Sequence, residues 1–359
     1  MPVIDADTHV HECDATWEYL NADEQHLRPQ KGELTIDDVP RPYWAIDGLV
    51  KIRSRRVEPH WRAMGELTDV ATRLKDMDTM GVDVQIIYPT SFGPGDFPRP
   101  EVELALTRSY NRWLAERCAE SGGRLRWVMI PPLQSMDSAL EEMRFARDHG
   151  AVGVLKKGDE QAGHWSTEPY FYPLYEEAER LDMPVCFHVG TGFQGSMPFE
   201  RIAHFGFYRV HLGVVHAFQS LLAHQVPAKF PKLRWGFVEA SASFVPFVLY
   251  NLRRMLEQNA KRPGSATRFM AGSDSYQVQR GVLADNNLYV SCQVDEDLPY
   301  IINLVGDDNL MVGSDYTHQD AAQELEFLSE LRQRVERGDL SAVALRKITE
   351  DNPKRFYGL

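Results

Sequence analysis

The chain has 359 residues, 43% hydrophobic and 25% charged, with a formal net charge of −13. Its longest apolar run, Phe244–Tyr250, contains Pro246 and falls well short of the roughly 18 residues that a membrane span needs. The acidic balance opposes polyanions, and the basic cluster around Arg53, Arg55 and Arg56 is local, so neither a membrane nor a nucleic acid is an expected partner.

Short β-branched or apolar runs alternate with stretches of helical periodicity, the pattern of repeated βα units around a parallel sheet. Strands are expected near residues 2–6, 84–88, 126–130, 151–155, 184–188, 233–238, 287–292 and 309–314. Helices are expected between them, near 68–80, 102–120, 137–148, 170–182, 206–224, 242–258, 296–305 and 319–336, with Gly81 and Gly150 as stops. Eight such units close a (β/α)8 TIM barrel, read as one domain over 1–359. Two segments exceed the minimal unit: 13–67, an insertion after the first strand rich in Pro, Trp and charge, and 259–286. Lids or subunit contacts are their expected uses. The opening MPVIDADTHV is acidic where a secretory signal would be basic and then apolar, which points to the cytoplasm. Cys13, Cys118, Cys186 and Cys292 are widely spaced, as buried thiols would be.

The chemistry gathers at strand ends. The first strand runs into Asp7-Thr8-His9-Val10-His11-Glu12, and alternation turns both imidazoles to one side. The fifth strand ends in Cys186-Phe187-His188 and the eighth in Ser314-Asp315-Tyr316-Thr317-His318. In a parallel barrel all C-terminal strand ends open on one face, so these residues converge. Three imidazoles and a carboxylate suit a divalent transition ion such as Zn, Mn or Fe, whereas oxygen-only ligation would suit Mg or Ca. The pair Lys156-Lys157 at the fourth strand end is read as charge pairing or substrate-carboxylate binding.

These motifs, with FPKLRWGFVEASASFVPF, GDDNLMVGSDYTHQD and the closing ITEDNPKRFYGL, resemble the amidohydrolase superfamily over nearly the whole chain. The resemblance is to its amidohydrolase 2 branch, which includes aminocarboxymuconate-semialdehyde decarboxylase. It implies a distorted (β/α)8 TIM barrel with a metal held by His9, His11, His188 and Asp315, and with Asp315 as ligand and base. Two departures enrich that site. Where relatives carry a histidine in an SHGG-like motif, this chain has Glu239, read as a metal ligand or acid/base group, with helix capping as the alternative. Glu12 directly follows the His-x-His pair and is a further candidate ligand. His216 resembles a position on an HPFE-type helix and is another. His318 follows an SDYPH-like pattern, with Thr317 in place of proline, and is a candidate catalytic group.

Three functions follow from this reading. The leading one is a metal-dependent hydrolase or nonoxidative decarboxylase acting on a small organic acid, amide or lactone. The second is a dinuclear iron or manganese-iron oxygenase, for which the added carboxylates would complete a two-metal site. The third is a metal-binding subunit beside an active paralogue, so both homo-oligomers and hetero-oligomers are expectations.

Overall fold

A computed structural model describes residues 2–36, 38–53, 58–97, 99–190, 211–261, 281–318 and 322–359. Eleven strands lie among these residues: β1 (Ile4–Val10), β2 (Gln30–Ile36), β3 (Val39–Ile46), β4 (Leu49–Ile52), β5 (Val84–Pro89), β6 (Leu125–Met129), β7 (Ala151–Lys156), β8 (Val185–His188), β9 (Trp235–Val238), β10 (Leu288–Cys292) and β11 (Leu310–Val312). Eight of them form one sheet in the order β1-β5-β6-β7-β8-β9-β10-β11, parallel wherever registers are defined, with helices in the connections. Beyond β11, a parallel bridge pairs Thr8 with Tyr316 and returns the chain to β1. The architecture is that of a (β/α)8 barrel.

The expected strands are found within one to four residues of their predicted ends. Most predicted helices are present too, stopped and started by the local chemistry. Asp69 caps Val70–Met80 by accepting from Thr72 N at 3.0 Å, and Gly81 ends that helix at φ 73°. The last long helix begins only at Phe327. The expected helix at 206–224 is described from Leu212 to Ala223, and most of the 259–286 insertion lies outside the described residues.

The 13–67 insertion holds an unexpected three-stranded antiparallel sheet, β2-β3-β4. Pro40 and Pro42 hide it in the sequence. They are tolerated because the β4 register ends at Tyr43, and the one bond beyond it, from Arg53 N to Pro42 O, uses the proline's carbonyl and not its missing amide. Asp47 and Gly48, both at positive φ, make the hairpin turn. Trp17 and Trp44 from this segment are fully buried with Phe92 and Phe97 in an apolar cluster, so they serve as core.

The described residues divide into two compact units. The first comprises Met1–Lys156 and Ser314–Glu326, the second Lys157–Gly313 and Phe327–Leu359.

Candidate metal centre

In the first unit a β-bulge in β1, between Asp5 and Thr8, breaks the register with β5 and leads into His9. The His9 Nδ1 lies 3.0 Å from Pro89 O. A carbonyl can only accept, so Nδ1 carries the proton and Nε2 presents a lone pair. That lone pair faces Asp7 Oδ1 and Asp315 Oδ1, each at 3.4 Å. Acceptors turned on acceptors in a dry site call for a cation or a proton between them. The His318 ring stacks on His9 at 3.7 Å, with its Nδ1 2.8 Å from Asp315 Oδ1.

His11 packs on the end of the helix Pro59–Gly65: its amide donates to Gly65 O at 2.7 Å, and a Cβ on Gly65 would lie 2.2 Å from its ring. The His11 Nε2 donates to Thr317 O at 3.2 Å, which leaves Nδ1 as the acceptor nitrogen. A histidine ligand usually donates its other N–H to a carbonyl or carboxylate, and both His9 and His11 are held that way.

Beneath these residues runs a buried polar network. Asp5 accepts from Ser314 N and Oγ at 2.8 and 2.6 Å, and burial raises its carboxyl to about 7. The fully buried Arg73 donates to His9 O, Thr8 Oγ1 and Gln85 Oε1 and lies against the Tyr316 ring. The loop carrying the strand-eight motif is strained: Asp315 has φ 51° and Thr317, a β-branched residue, φ 82°. Hydrogen bonds from Asp315 N to Asp7 O and from Thr317 Oγ1 to His9 O hold it there.

In the second unit His188, the last residue of β8, follows the same logic as His9. Its Nδ1 donates to Val189 O at 2.8 Å, and Nε2 lies 3.2 Å from Glu239 Oε2. Both side chains are buried. Glu239 sits at φ 62° just beyond β9, and its amide donates to Ser291 Oγ at 2.7 Å. The carboxylate thus faces an imidazole.

Two further candidate ligands, Glu12 and His216, have contacts of their own. The buried Glu12 carboxylate accepts from Thr90 N at 3.2 Å and from Ser91 N at 3.0 Å, and burial raises its pKa to about 7. His216 is exposed on its helix, with Nδ1 3.3 Å from Gly158 O and its ring against Trp165. Asp7, Thr90, Arg73 and Gly65 were not singled out from the sequence. Asp7 alone carried a visible signal, two residues before His9 at the alternation of a strand.

The sequence model described as "Amidohydrolase" matches residues 4–359, and the chain belongs to that family. A gamma-resorcylate decarboxylase from Rhizobium sp. is 33% identical over 137 residues, which are 36% of this chain and 42% of that protein. The match thus spans less than half of the relative. Among solved structures, an amidohydrolase from Mycobacterium avium subsp. paratuberculosis superposes with a TM-score of 0.76 at 19% identity, covering 99% of each chain. A 5-carboxyvanillate decarboxylase from Novosphingobium aromaticivorans, complexed with manganese and a nitrobenzoic acid, gives 0.66 at 19% identity over 85% of each. At such identities these structures show the fold. The oxygenase reading finds no support among these relatives and is set aside. All four cysteines are buried free thiols, and no helix among the described residues is long and apolar enough to cross a membrane.

Proposed function

We propose that the protein is a metal-dependent, nonoxidative decarboxylase of a small hydroxylated aromatic acid. The observation that carries this reading is the tautomer pattern: His9 and His188 each donate one ring nitrogen to a backbone carbonyl and turn the other on buried carboxylates. That donor chemistry fits a divalent transition ion, with His9, His11, His188 and Asp315 as the residues that would hold it. Manganese is the first candidate, since the 5-carboxyvanillate decarboxylase is complexed with it. When bound, such an ion supplies Lewis acidity toward substrate oxygens.

The protein's own residues handle the proton. In decarboxylation the bond between ring and carboxylate breaks, CO2 leaves, and the electron pair takes a proton at the same ring carbon. In this reading His318 holds that proton and passes it on with Asp315 as its partner, which its 2.8 Å contact with Asp315 and its stacking on His9 support. The decarboxylase relative favours this chemistry over hydrolysis.

The test is turnover by manganese-reconstituted protein of a panel comprising dihydroxybenzoates, 5-carboxyvanillate, a phenyl ester and a lactone. The expected result is CO2 and a decarboxylated phenol from an aromatic acid. Hydrolysis of the ester or lactone with every acid untouched would overturn the proposal.

A further inference from the structure

His318 stands in a loop rather than on a helix or strand, so its ring needs an external hold if one nitrogen is to stay on Asp315. An imidazole can turn over about its terminal torsion at little steric cost, which puts a carbon where each nitrogen stood. The structure supplies a hold from β5. Thr90, the residue after that strand, hydrogen-bonds through Oγ1 to His318 Nε2 at 2.9 Å, while Nδ1 of the same ring lies 2.8 Å from Asp315 Oδ1. The Thr90 backbone is fixed in turn: Glu12 is buried, and its carboxylate accepts from both Thr90 N and Ser91 N.

We propose that Thr90 and Glu12 are positioning residues for His318. Glu12 clamps the turn after β5, the Thr90 hydroxyl selects one face-up orientation of the imidazole, and the other nitrogen is thereby kept on Asp315. This gives Glu12, expected as a metal ligand, a role through the turn after β5. The use of the held proton rests on the decarboxylase reading; the hold itself does not.

The experiment compares wild type with Thr90→Val, which keeps the shape and removes the hydroxyl, and Thr90→Ser, which restores it. In manganese-loaded enzyme, Thr90→Val is expected to lower kcat by roughly 10- to 100-fold, a part of the roughly 100- to 10,000-fold that a positioned acid-base group contributes. KM and metal content stay close to wild type, and Thr90→Ser recovers most of the loss. Glu12→Gln, which puts an amide donor against two amide donors, is expected to reproduce part of the Thr90→Val defect.

A second readout needs no turnover. In metal-free protein with 15N-histidine, the ring resonances of His318, assigned by His318→Gln, should shift in Thr90→Val and return in Thr90→Ser. Unchanged His318 resonances in Thr90→Val, or a Thr90→Ser protein as impaired as the valine variant, would overturn the proposal. If wild type turns over no aromatic acid, the decarboxylase reading fails, and the ring resonances still decide the role of Thr90.

Discussion

At the scale of single residues, the site is held in conformations that cost energy. Thr317 at φ 82° both accepts from His11 Nε2 through its carbonyl and donates to His9 O through its hydroxyl. Thr317→Pro would restore the family-like sequence, yet proline is locked near −65° and cannot adopt this backbone. The variant should lose more than about 1 kcal/mol of stability in urea denaturation and bind metal more weakly. A proline variant as stable as wild type would show that the loop does not need this turn.

Asp5 makes a pH prediction. Burial raises its carboxyl from the ordinary 3.8 to about 7, so folding favours the protonated form. Its contribution is fully present below about 3.8 and is lost as pH rises through about 7. Asp5→Asn cannot ionise. Its stability deficit relative to wild type should therefore shrink between pH 5 and pH 8 in chelator-treated protein, and a deficit that widens with pH would contradict the assignment.

At the scale of elements, the turn after β5 is bolted to its surroundings. The buried Glu103, on the helix Pro100–Ala119, accepts from Gly95 N and Gln134 N at 2.8 Å each, and Gln134 Nε2 donates to Phe97 O. Glu103→Ala leaves two amides without this acceptor and should cost about 1–3 kcal/mol by urea denaturation. No measurable change would mean that the loop is held by its phenylalanines alone.

Gly65 ends the helix Pro59–Gly65, where alanine would ordinarily be favoured by up to about 1 kcal/mol. Its added Cβ would strike His11. Gly65→Ala should therefore weaken metal binding by about 10-fold or more while leaving thermal stability of the metal-free protein near wild type. Equal metal affinity in a titration would remove His11 from the ligand set.

The elements differ in how far the sequence reveals them. The parallel strands are legible because each is a short apolar run ending in chemistry, as in His9 and His188. The β2-β3-β4 sheet is not, since Pro40 and Pro42 argue against a strand until the short reach of β4 is known. Its Asp47-Gly48 turn was the signal that could have exposed it.

At the scale of the whole molecule, the family and the (β/α)8 fold were readable from ordered strand-end motifs. The roles around them were less so. Glu12 follows the His-x-His pair and invites a ligand reading, whereas its hold on the backbone amides after β5 is visible only in the fold. Thr90 carries no motif at all, and its role depends on a histidine 228 residues away.

The central claim is that a divalent ion held by His9, His11, His188 and Asp315 supports the reaction. Its most direct test is metal content after equilibration with manganese, measured for wild type, His188→Ala and Asp315→Ala. The account predicts about one ion or more per wild-type chain and a clear loss in both variants. Metal content unchanged by either substitution would contradict it.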